Sequence, residues 1–167
     1  MPASPSTSLS IGSETLRFRF RPRYKLFALG MIALGAAFAA AAMVSDFDGS
    51  SRTVAIAIGA VSAILGLLYL LSPAWRIVVV VDDEALEVLS RGDRRFRVPW
   101  TEVAGVVASP ETKTLYFDGG EPDKSFKVPG RGAPAPYDIE RRAELYDAIM
   151  ARVPAEVVTE VELLEAR

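Results

Sequence analysis

The sequence predicts a membrane α-helical hairpin joined to a small α+β domain, in which an antiparallel curled sheet or barrel is capped by one C-terminal amphipathic helix. Three observations predict it. Two uncharged apolar runs, Leu26 to Ser45 and Thr53 to Ser72, lie close together near the start of the chain. Short β-rich runs then follow one another from Arg76 to Val128, broken at regular intervals by turn residues. A helical apolar stripe finally occupies Tyr137 to Arg152.

Neither apolar run contains Asp, Glu, Lys, Arg or His. Twenty residues at about 1.5 Å rise span roughly 30 Å, the hydrocarbon thickness of a bilayer. The connection Asp46–Arg52 is too short to form a domain, so the two runs predict a transmembrane hairpin over residues 24–73. Arg17, Arg19, Arg21, Arg23 and Lys25 precede the first run against Glu14 alone, whereas the connection carries net -1. Basic flanks stay in the cytoplasm, which predicts a multi-pass protein of the cell (inner) membrane with both termini cytoplasmic. Tyr24, Tyr69 and Trp75 then fall on one membrane interface as anchors, the level such side chains prefer. The rival reading is a signal peptide cleaved near Ala40-Ala41-Ala42, but the apolar run exceeds an ordinary signal h-region.

Ala33, Ala37 and Ala41 form a row of small side chains on the first run, and Ala55, Gly59 and Ala63 form another on the second. Such rows let helix backbones approach closely. They predict packing within the hairpin, with homo-oligomerisation through the same faces as the alternative. Ser62 is the main polar group away from the run ends, so the spans predict an anchor and no transport path.

The formal charge of -2 over 167 residues hides an asymmetry. From Trp75 onward there are 13 basic and 18 acidic residues, a net of -5. Nucleic acid is not an expected partner, because phosphate backbones need a positive surface. The chain has neither cysteine nor histidine, which removes thiolate chemistry and the commonest general base and metal ligand.

In the soluble part, residues 74–153, Arg76 to Val81 is a β-branched run ended by Asp82-Asp83. Ala85 to Ser90 follows, then the turn Arg91-Gly92-Asp93, where glycine supplies a positive φ. Arg94 to Val98 alternates, with Phe96 and Val98 inward and Arg95 and Arg97 outward. Val103 to Ala108, Lys113 to Asp118 and Ser125 to Val128 continue the series. Pro129 to Pro136 is a Pro/Gly-rich connection. Ile139, Ala143, Tyr146, Met150 and Val153 recur at helical spacing, Asp138 faces Arg142, and Pro154 ends the helix. The tail, 154–167, is open between a short helix and an extended segment. Leu16-Arg17-Phe18-Arg19-Phe20-Arg21, within the basic segment 1–23, has strand periodicity and is placed as an edge strand of the sheet.

Val80-Val81-Asp82-Asp83-Glu84-Ala85-Leu86, Val98-Pro99-Trp100-Thr101-Glu102-Val103 and Phe126-Lys127-Val128-Pro129 carry a resemblance. With two short-looped spans before them, the chain over residues 24–153 resembles the bacterial PH-like membrane proteins, including the YcxB-like group. The resemblance implies a sheet-plus-helix domain facing the cytosol, and no established activity for most members.

Two surface clusters merit attention as sites. Asp82, Asp83 and Glu84 are expected to form a solvated turn; an acidic turn there argues against phosphoinositide binding. Arg91, Arg94, Arg95 and Arg97 either touch anionic headgroups or another partner, or form a charge-protected strand that resists edge pairing. Trp100 is expected to plug the open end of the sheet. No Gly-x-Ser-x-Gly elbow, helical Ser-x-x-Lys or Gly-rich phosphate loop is present. No catalytic residue, cofactor or metal site is expected. The chain reads as a non-enzymatic, membrane-anchored scaffold for a protein partner, with an anionic-lipid surface sensor acting through Arg91–Arg97 as the alternative.

Overall fold

The computed structural model describes residues 15–46, 48–130, 133 and 135–162. The start of the basic segment, Phe47, three positions of the Pro129–Pro136 connection and the end of the tail lie outside the described residues. Strand β1 (Leu16–Pro22) opens the fold and is followed by α1 (Lys25–Val44) and α2 (Gly49–Leu70). Seven strands succeed them: β2 (Ile77–Val81), β3 (Ala85–Ser90), β4 (Asp93–Pro99), β5 (Gly105–Ser109), β6 (Thr114–Asp118), β7 (Phe126–Val128) and β8 (Tyr137–Ile139). Helix α3 (Arg142–Met150) and strand β9 (Val158–Glu160) complete the order.

Both long helices are apolar and long enough to cross a membrane. They are not the core helices of a soluble domain: only 17% of each apolar window is buried, and Leu26 and Val44 are 84% and 86% exposed. Asp48 caps α2, and hydrogen bonds from Ser50 and Ser51 hold its carboxyl at a pKa of about 2. Because α2 starts at Gly49, Arg52 lies inside its first turn, where its guanidinium donates to the Ser45 carbonyl at 3.0 Å.

The helices pack through one of the two expected rows. On α2, Ala55 and Gly59 are buried and Ala63 half-buried, but on α1 the row Ala33, Ala37 and Ala41 is exposed. Ala28, Gly35 and Ala42 take its place, a seven-residue repeat. Such a repeat keeps one seam facing the partner helix, whereas a strict i+4 row drifts around the cylinder.

Two sheets enclose the core. The first has the order β4-β3-β2-β1-β8, the second β7-β6-β5-β9. β1 is therefore not an edge strand: Leu16 to Arg19 pair with Val81 to Val78, and Phe20 to Pro22 pair with Ile139 to Tyr137. Its alternation buries Phe18 and Phe20 and exposes Arg17, Arg19 and Arg21. The sheets do not close into a barrel, and β9 runs parallel to β5, a departure from the all-antiparallel expectation.

The C-terminal helix is shorter than its apolar stripe suggests. Tyr137 to Ile139 serve as a strand, and Arg141 sits in the left-handed region at φ 51°, which interrupts any helix begun before it. Leu145, Tyr146, Ala148 and Ile149 face the core, while Ala143 is exposed. The Asp138–Arg142 pair does form, at 3.4 Å, but it joins β8 to α3. Helix α3 covers the end of the core that carries the β2–β3 and β5–β6 turns, tied there by Arg152–Asp83 and Lys113–Asp147. Phe18, Val79, Leu86, Val106, Leu115, Phe117, Leu145 and Ile149 are all fully buried within that core.

Candidate functional site at the helix–sheet junction

The helices join the sheet domain at the end opposite α3. Only Arg23 and Tyr24 separate β1 from α1, and a 3-10 turn, Pro73–Arg76, leads from α2 into β2. Ser72 caps that turn, and Pro73 suits its first position. Tyr24, Tyr69 and Trp75 meet here. The Tyr69 hydroxyl accepts from the Tyr24 amide at 3.0 Å and donates to the Pro136 carbonyl at 2.6 Å. Trp75 Nε1 donates to the Tyr69 carbonyl at 2.6 Å, and the two rings meet edge to face at 5.1 Å. Arg23 lies over the Tyr24 ring and donates to the Ala133 carbonyl. One tyrosine hydroxyl thus bonds both Tyr24, the residue that precedes helix α1, and the connection before β8.

The four arginines of the β3–β4 hairpin do not act as one group. Arg91 and Gly92 adopt φ values of 58° and 97°, the two positive values that a tight hairpin turn requires. The Arg91 amide donates to the Arg76 carbonyl at 3.3 Å, which sets the hairpin tip beside the exit from α2. Arg94 pairs with Glu87 at 2.7 Å, and Arg97 with Glu84 at 3.1 Å and Asp82 at 4.0 Å. The first pair crosses from β4 to β3 and the second reaches the β2–β3 turn; both neutralise their arginine at the surface, each contributing only about 0.2–1 kcal/mol. Arg91 and Arg95 form no ion pair among the described residues.

Arg95 is the extra residue of a register shift between Val88 and Leu89, since Phe96 pairs with Val88 and Arg94 with Leu89. Such a bulge re-aims a side chain. Arg95 joins Phe20, Ile77, Val79, Phe96, Phe126 and Tyr137 in lining a cavity of about 270 Å³ at the open seam between the two sheets. The Tyr137 hydroxyl donates to the Lys127 carbonyl at 3.0 Å across that seam, and burial pushes its pKa above the usual 10. Phe126 and Tyr137, separated by the Pro/Gly-rich connection, have no local signal in the sequence that assigns them to one cavity. Their meeting depends on β8 pairing with β1.

The acidic turn is occupied internally. Asp82 Oδ1 accepts from the Glu84 and Ala85 amides at 2.8 and 2.7 Å, while Arg97 and Arg152 face the three carboxylates. Trp100 is buried in the core, and its Nε1 donates to the Asp82 carbonyl at 3.0 Å. It fills the end of the core beneath that turn. Among the described residues no three metal-ligating side chains come together. No family model matches this chain, and no curated protein or solved structure matches it.

Proposed function

We propose that the chain is a non-enzymatic, two-span protein of the cell membrane, acting as a scaffold that holds a protein partner at the cytoplasmic face. One observation carries this reading: α1 departs from β1 and α2 returns into β2, and these are neighbouring antiparallel strands. The helices are thus an insertion within a strand pair, braced by Tyr69, and no flexible linker intervenes. An anchor of this kind holds the sheet domain at one height and tilt. The basic segment Arg17–Lys25 and the acidic connection Asp46–Arg52 support a cytoplasmic placement of both termini. Strands in series followed by one helix over the core support the resemblance to bacterial PH-like membrane proteins. The edge strand β4, with no strand beyond it among the described residues, is the docking place for the partner.

The absence of cysteine makes the topology directly testable. In intact cells a membrane-impermeant maleimide labels Ser50→Cys, whereas Asp123→Cys reacts only after permeabilisation. Labelling of Asp123→Cys in intact cells would overturn the anchored reading. For the partner, a photo-crosslinking residue at Asp93 on β4 captures one discrete protein in cells, and the same residue at Asp147 on α3 does not. Equal capture at both positions, or none, removes the docking assignment.

A second reading, contact with anionic lipid through the arginine hairpin, is favoured by the position of Arg91 beside Arg76 at the helix-bearing end. It now rests on Arg91 and Arg95, since Arg94 and Arg97 are paired. A dye at Gly92→Cys in nanodiscs is quenched by lipid-borne quencher more strongly when the lipid is anionic, and salt reverses the difference. Arg91→Glu with Arg95→Glu abolishes that difference; an unchanged signal sinks this reading.

A further inference from the structure

Beneath the sheet domain, the two long helices enclose an apolar groove of about 380 Å³. Tyr24, Phe27, Ala28 and Met31 line it on the α1 side, Leu65, Gly66 and Tyr69 on the α2 side, and Pro136 roofs it. Its volume lies within the usual range of ligand sites, roughly 300–1,000 Å³. The polar groups at its roof are already satisfied: the Tyr24 amide, the Tyr69 hydroxyl and the Pro136 carbonyl bond one another. Its interior therefore offers a ligand only hydrocarbon contact.

The rim is different. Arg23 and Lys25 flank Tyr24 in sequence, and Lys25 lies one helical turn from Ala28. Lys25 has no ion-pair partner among the described residues. Helix α1 begins at the same level with no capping side chain and no acidic residue in its first turn, so the positive end of its dipole is not neutralised locally. An apolar cleft between two spans with uncompensated positive charge at its mouth is complementary to one chemistry: hydrocarbon below, an anion above. Basic pockets between spans on the cytoplasmic side bind acidic lipid headgroups for this reason.

We infer that this groove is a binding site for one anionic phospholipid of the cytoplasmic leaflet, with an acyl chain between Phe27 and Leu65 and its phosphate beside Arg23 and Lys25. The inference rests on the reading of the helices as spans. It is separate from the arginine hairpin, which lies on the sheet domain. A lipid seated here touches both helices and Pro136, so it also stiffens the junction.

The test is native mass spectrometry of the full chain, stripped of lipid in detergent and titrated with phosphatidylglycerol or phosphatidylcholine. The chain retains one phosphatidylglycerol in preference to phosphatidylcholine. Lys25→Gln weakens that preference roughly fivefold, the effect of one basic residue near a headgroup. Leu65→Trp, which fills the groove, removes the adduct; Leu68→Trp, on an exposed face outside the groove, leaves it intact. Phe27→Trp repeats the test from the opposite wall should Leu65→Trp fail to fold. Equal retention of the two lipids, or retention undiminished by Leu65→Trp and Phe27→Trp, overturns the site. A chain that passes the maleimide test yet shows no phosphatidylglycerol preference keeps its topology and loses this site alone.

Discussion

Gly35 and Gly59 oppose each other so closely that a Cβ on either would lie 2.5 Å from the other's carbonyl oxygen. No side chain fits between the helices at this point, because both obstructing atoms are backbone. The contact sets the separation of α1 and α2 and, through it, the spacing at which the helices meet β1 and β2.

Gly59→Val therefore forces the helices apart, at a cost of about 1–3 kcal/mol typical of overpacked interfaces. Ala33→Val adds the same kind of bulk to the exposed face of α1 and changes little. Thermal unfolding of the two variants in detergent separates the outcomes; equal midpoints would show that the close approach is not limiting.

Tyr69→Phe removes a hydroxyl that serves two elements at once. The expected cost is about 0.5–1.5 kcal/mol for each hydrogen bond lost. The sharper readout is local: hydrogen exchange at the Tyr24 amide accelerates, while amides in the middle of β5 and β6 keep their protection. Acceleration spread through the sheets would mean that Tyr69 supports folding and not the junction.

Trp100→Ala opens a cavity beneath the Asp82–Glu84 turn and leaves the Asp82 carbonyl without its indole donor. Large aromatic truncations in cores cost about 3–5 kcal/mol. Denaturant unfolding of the full chain in detergent, followed by circular dichroism, measures it. A loss below about 1 kcal/mol would place Trp100 at the periphery of the core.

Tyr137 carries the pH dependence of the seam. Burial raises its pKa above 10, so the neutral phenol is favoured in the folded state. The corresponding stability is complete below pH 10 and is lost as pH rises through the higher folded value. Burial raises Tyr146 in the same direction, so phenolate absorbance of the full chain shows late-titrating tyrosines whose amplitude Tyr137→Phe reduces without abolishing it. Should both chains titrate alike, the seam is open to solvent at this residue.

The position of β1 makes a prediction about dissection. A fragment beginning at Trp75 lacks the strand that pairs with both β2 and β8, and it does not fold. Replacing residues 23–75 by a short glycine-containing loop keeps β1 beside β2 and yields a soluble sheet domain. Dispersed amide resonances for the second chain and collapsed ones for the first are the expected result.

Much of this architecture was legible in local patterns. The uncharged runs located both long helices to within a few residues, and Gly92 located its turn because glycine accepts a positive φ without strain; the second positive φ falls on Arg91, and Asp93, expected in the turn, opens β4. Alternation correctly turned Phe96 and Val98 inward. The candidate site was less legible. Four arginines share one stretch of sequence, but two of them are neutralised by Glu87 and by the Asp82–Glu84 turn, and a register shift redirects a third. The groove beneath the sheet is formed by Phe27, Leu65 and Pro136, residues that no local pattern connects.

Sequence alone determined where the chain is apolar, where it turns, and that imidazole and thiol chemistry are absent. These are local properties, set by side-chain transfer energies and backbone sterics within a few residues. Tertiary structure decided that β1 lies inside its sheet, that Tyr137–Ile139 forms a strand despite its helical spacing, and that β9 runs parallel to β5. Each of these turns on backbone hydrogen bonds between segments tens to more than a hundred residues apart. Which distant strand satisfies a given N–H or C=O is settled only when the whole core closes around it.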